Sequence, residues 1–147
     1  MPPNQWSKHP EIKPTDLIGI PYMMAFEMRK RGWYLRSDII WYKSNAREIK
    51  QKTRPQKKYE HIFMFSKSQK YYYKGDETNM WDIPIKKHED FHSAQFPSEI
   101  VERILKLALP KNGKVLDPFC GTNTTGKVCD KNGIFSVGVD GSMGFLS

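Results

Sequence analysis

At 147 residues the chain is long enough for one domain with a buried core, and its 38% apolar and 13% aromatic content excludes a disordered protein. The 24 Lys and Arg against 16 Asp and Glu leave a net charge of +8, which favours a polyanionic partner because basic side chains displace counterions from phosphates. No apolar run reaches membrane-span length, the N-terminus shows no signal-peptide core, and two cysteines are too few for a disulfide framework or a zinc site. A cytoplasmic protein with no membrane partner and no metal is expected.

In chain order, residues 15–31 carry Leu17, Ile18, Met24, Phe26 and Met28 between cap signals, Thr15 or Asp16 as N-cap and Gly32 as C-cap, and read as a helix from about Tyr22 to Arg31. Tyr34 to Tyr42 is rich in β-branched and aromatic residues and reads as a strand. Seven basic residues and one acid, Glu48, then fill the stretch 43–58: Lys43, Arg47, Lys50, Lys52, Arg54, Lys57 and Lys58. With Pro55 and little apolar content this is an exposed loop; a solvated surface is the plain reading, and phosphate contact on a nucleic acid the sharper one. Glu60 to Ser66 is a short buried strand, and Tyr71–Tyr73 begins another. Residues 74–95 form a polar connection.

Pro97 stands at the first position of a helix that carries Ile100, Val101, Ile104, Leu105 and Leu107 at helical spacing. Lys114–Pro118 is a strand, Thr124–Lys131 a helix, and Phe135–Asp140 a further strand. Helix, strand, glycine turn, helix and a strand ending in an acid is the order of a Rossmann-like, doubly wound α/β sheet. The turn VLDPFCGTNTTG, from Val115 to Gly126, lets main-chain N–H groups and a helix N-terminus face a ligand, and Gly121 lets the backbone approach it closely. Asp140 lies where an acid in such a site bonds ribose hydroxyls. An ordinary α/β turn is the alternative. An NAD-type dehydrogenase is disfavoured because the GxGxxG spacing is absent from 121–126.

DPFCGTNTTG resembles the S-adenosylmethionine motif of amino-group (N6-adenine or N4-cytosine) DNA methyltransferases, whose usual form is DPFxGxGTT. FPSEIVERIL, LIGIPYMMAF, GWYLRSDIIWYKSN, TRPQKKYEHIFMFSKSQKYYY and MWDIP resemble other blocks of that family, in its order. The resemblance implies a single partial domain of the class I methyltransferase type over 1–147. It implies S-adenosyl-L-methionine as cofactor and double-stranded DNA as partner. Asp117, Phe119 and Gly121 would hold the methionine end and Asp140 the ribose, Phe96 with Pro97 would close the other side, and Pro118, Asn123 and Thr124 would also touch the cofactor. The family's second glycine is Asn123 here, a residue that tolerates positive φ.

Methylating an exocyclic amine requires orientation of the base and stabilisation of developing charge. The family achieves this with a (D/N/S)PP(Y/F/W) motif on a flipped base. The sole Pro-Pro here is Met1-Pro2-Pro3-Asn4, in which Met1 offers no polar grip and Asn4 no stacking ring. No catalytic residue is therefore assigned. The expectation is an N-terminally truncated or split enzyme, lacking the central strand that leads into the motif and a C-terminal strand, and complemented by another chain. A catalytically inactive DNA-binding or partner-binding remnant is the alternative. Neither cysteine follows a proline, which sets aside C5-cytosine chemistry; Cys120 reads as a small turn residue and Cys129 as helix packing. Trp33 and Trp41 read as core, His61 as structural, and His88, Glu89, Asp90 and His92 as too loosely spaced for a metal.

Overall fold

Gly32 closes the first helix and releases the chain into its central strand. In the computed structural model, which describes residues 12–13, 15–48, 52–85 and 95–141, helix α1 spans Ile20–Lys30. Gly32 adopts φ 86° and donates to Arg29 O while Trp33 donates to Met28 O, the paired bonds of a Schellman close. The helix starts two residues earlier than expected. Pro21 fits its first turn, where no N–H partner is needed, and Gly19 at φ 76° is the N-cap. Neither Thr15 nor Asp16 caps it; Asp16 Oδ2 accepts from Lys13 N in a local turn.

Strand β1, Tyr34–Tyr42, pairs antiparallel with β2, Tyr59–Ser66, and its last three residues pair in parallel with β3, Met80–Asp82. Alternation along β1 sends Ile39 and Trp41 to one face and Asp38 and Ile40 to the other. The first face meets α2, Ser98–Ala108, through Ile100 and Leu107, which cluster with Ile39, Trp41, Trp81 and Ile83. Helix α1 lies against the second, where Tyr22 reaches His61. Helices on both faces make this a doubly wound sheet.

β3 departs from the sequence reading, since it lies inside the expected polar connection and brings the fully buried Trp81 and Ile83 with it. Tyr71–Tyr73 is not a strand; it is exposed, and Lys74 N bonds Leu107 O at the end of α2. Pro97 is the N-cap of α2 rather than its first helical residue.

Strands β4, Val115–Asp117, and β5, Ser136–Gly138, form a separate parallel pair with α3, Thr124–Lys131, between them in sequence. Among the described residues the sheet is thus in two pieces, β2-β1-β3 and β4-β5, and β1 does not pair with β4. Helix α2 packs on α3 and joins the pieces. No described helix is long and apolar enough to cross a membrane.

Candidate functional site

The bend after β4 is held at both ends by one carboxylate. Asp117 Oδ1 accepts from Phe119 N at 3.1 Å and Oδ2 from Thr125 Oγ1 at 2.6 Å, so the strand end and the helix start share an anchor. Cys120 N bonds Val139 O and Val139 N bonds Asp117 O, which sets the bend beside the end of β5. Asp140, two residues past that strand, turns into the bend: its Oδ2 accepts from Gly121 N at 2.9 Å.

Gly121 and Asn123 both take left-handed backbone, at φ 49° and 59°. Around Gly121 a Cβ would meet nothing within 4 Å, so the space there is open. Asn123 fits where the resemblance expects glycine because its short amide tolerates that region and repays it locally, Oδ1 capping α3 at Gly126 N over 3.1 Å. The N–H groups of Thr122, Thr124 and Thr125 have no hydrogen-bond partner among the described residues and form a set of donors at a helix start. Phe119 stands 87% exposed at the rim.

Phe96 and Pro97 meet this helix start. With Thr122, Thr124 and Lys127 they line a cavity of about 310 Å³ between α2 and α3. Asp140 is not part of its lining; it approaches the bend through Gly121. Thr122, Thr125 and Lys127 escaped the sequence reading, and only the doubled threonine after the turn hints at a hydroxyl aimed back at the strand.

The basic loop divides. Lys43 rests over the Trp41 ring at 4.4 Å and pairs with Glu60, so a phosphate would have to compete with that pair for its charge. Lys57 lies over Tyr59, and Lys58 approaches Glu48 to 3.9 Å. Arg47, Lys52 and Arg54 are exposed and have no ion pair among the described residues, while Lys50 falls outside them.

His61 ties β2 to β1 and α1. Its Nδ1 faces Asp38 Oδ1 at 2.9 Å, and its Nε2 lies 2.9 Å from the Tyr22 hydroxyl; with the proton on Nδ1, the tyrosine donates. Desolvation, then Tyr59 and Asp38, raise the Tyr22 pKa above the ordinary phenol value. Cys120 and Cys129 are buried, Trp41 is core, and Trp33 is only half-buried. No group of metal-ligating side chains occurs among the described residues; Met1-Pro2-Pro3-Asn4 and the 88–92 cluster lie outside them.

Residues 4–147 match a family model described as DNA methylase, N6_N4_Mtase. Type II methyltransferase M.SmaI of Serratia marcescens is 38% identical over 144 residues, covering 88% of this chain and 49% of that protein. Type II methyltransferase M.Cfr9I of Citrobacter freundii is 37% identical over 142 residues, with coverage of 88% and 47%. The chain therefore spans about half the length of these curated relatives. Among solved structures, PvuII DNA methyltransferase, cytosine-N4-specific, shares the fold with a TM-score of 0.75 at 17% identity, over 95% of this chain and 57% of that one. An M1.HpyAVI–SAM complex superposes with a TM-score of 0.73 at 22% identity, over 89% and 67%.

Proposed function

Because the chain belongs to the DNA methylase family, we propose that it holds the cofactor and DNA for a methyltransferase acting on an exocyclic amino group of adenine or cytosine in double-stranded DNA. S-adenosyl-L-methionine is the cofactor of this reading, and the cytosol, where such DNA lies, its location. The observation that carries it is the open bend from Asp117 to Thr125 with Asp140 turned into it.

The residues suit the cofactor's chemistry. Free N–H groups at Thr122 and Thr124, at the start of α3, complement a carboxylate such as that of methionine. Asp140 offers an acceptor for ribose hydroxyls, Gly121 leaves room for close approach, and Phe96 with Pro97 walls the other side. When bound, the cofactor supplies an electrophilic methyl group on sulfur; this chain's residues bind and orient it. Arg47, Lys52 and Arg54 contact phosphates.

Calorimetric titration with S-adenosylhomocysteine tests the assignment. Saturable 1:1 binding is expected, weakened about ten- to a hundredfold by Asp140→Ala, the usual scale for losing hydrogen bonds to a charged group. No binding, or binding indifferent to both Asp140→Ala and Asp117→Ala, overturns it.

A further inference from the structure

At the opposite end of β1 from the 43–58 loop, two segments meet that the methyl-transfer reading does not use. Residues 29–36 and 67–74 contain seven Lys and Arg and no acid. Pairing of Tyr34 with Ser66 brings them side by side. A nine-residue strand puts this end about 30 Å from the basic loop.

The aromatic groups there are held in fixed positions. The Arg36 guanidinium lies 4.6 Å from the ring centres of both Tyr34 and Tyr71. Its N–H groups donate to Ser66 Oγ at 2.8 Å, Ser68 O at 2.9 Å and Gln69 O at 2.8 Å. Arg36 is therefore spent on structure, and what it fixes is two rings that each remain 45% exposed. Beside them Lys67 lies over the Trp33 ring at 4.8 Å. Arg29, Lys67 and Lys70 have no ion pair among the described residues. A merely solvated basic face has no need of rings clamped by an arginine that three hydrogen bonds hold in place. Fixed, half-open rings on two segments that also carry unpaired cations are what a single strand needs: a surface for bases to stack on and charges for its backbone.

We propose that this ledge is a binding site for single-stranded nucleic acid, in which Tyr34 and Tyr71 stack on bases and Arg29, Lys67 and Lys70 contact phosphates. It is separate from the 43–58 loop and does not rest on the cofactor reading.

Fluorescence anisotropy with a labelled oligothymidylate of about twenty nucleotides tests it on the full chain. Tyr71→Ala should weaken binding about tenfold without changing the salt dependence, and Tyr71→Phe should restore it. Lys67→Gln with Lys70→Gln should lower the slope of log K against log salt by about 1.4. Lys52→Gln with Arg54→Gln should weaken binding of the oligothymidylate less than Lys67→Gln with Lys70→Gln does. Tyr34→Ala, on the other side of Arg36, repeats the ring test if Tyr71→Ala fails to fold. The proposal falls if ring removal is silent, if the loop pair carries the loss, or if Tyr71→Ala weakens binding of a duplex of equal length as much as it weakens binding of the single strand.

Discussion

Replacing Asn123 with alanine should damage the bend far more than replacing it with glycine, although glycine removes more of the side chain. Two costs separate the variants. Alanine loses the cap on Gly126 N, worth about 1 kcal/mol, and must hold a left-handed backbone that costs an L side chain about 1–2 kcal/mol more. Glycine takes φ 59° freely and, at a cap, loses only a few tenths of a kcal/mol. The two variants should differ by about 2 kcal/mol, or roughly thirtyfold in the population of the intact bend. Urea unfolding followed by circular dichroism reads the stability, and titration with S-adenosylhomocysteine reads the bend. Asn123→Gly should match the wild type in both, whereas Asn123→Ala should fall in both, with an unchanged denaturant slope. Gly126→Ala approaches the same contact from the other side, since its Cβ would lie 2.2 Å from Asn123 Oδ1. That clash disappears when Asn123→Gly is combined with it, so the double variant should be more stable than the sum of the singles. Equal losses from alanine and glycine at 123 would show that the left-handed backbone is not what asparagine provides.

Two other perturbations test the core and the loop. Trp81→Ala empties a site 2% exposed within the main cluster and should cost about 3–5 kcal/mol in urea unfolding; a cost below about 1 would mean that Trp81 does not knit β3 to α2. On duplex DNA, Lys52→Gln with Arg54→Gln should lower the salt slope by about 1.8, while Lys43→Gln should leave it unaltered, because Lys43 is already paired with Glu60. A slope lost with Lys43 instead would restore it as a phosphate contact.

What the sequence revealed was mostly what is encoded locally. The span Tyr34–Tyr42 announces itself by β-branched and aromatic residues, and Thr124–Lys131 by the turn before it and the asparagine and glycine after it. Asp117, Gly121, Asn123 and Asp140 are legible for the same reason, since a strand, a bend and a strand-end acid follow one another with little between. β3 is not legible: three residues show no period, and their burial is decided by α2, which comes later in the chain. Tyr71–Tyr73 misleads in the opposite direction, because its aromatic content suits a strand but its neighbour Lys74 bonds the end of a helix. The pairing of Lys43, just past β1, with Glu60 in β2 joins residues 17 apart and has no local signal.

Helix α2 explains why the candidate site depends on residues far from it. Its N-terminal end carries Phe96 and Pro97 to the cavity at the start of α3, while Leu107 near its other end is fixed in the cluster with Trp81 and Ile83. Between them Val101 lines a second cavity together with Val115 and Thr125, the latter bonded to Asp117. Among the described residues the smaller sheet does not pair with the larger one, and Leu116 on it is 66% exposed, so the packing of α2 on α3 is a main tie between the bend and β1. Loosening α2 at Leu107 should therefore separate Phe96 from Thr124 while each keeps its own local bonds. The loss would be one of alignment, which is the property a methyl transfer requires most.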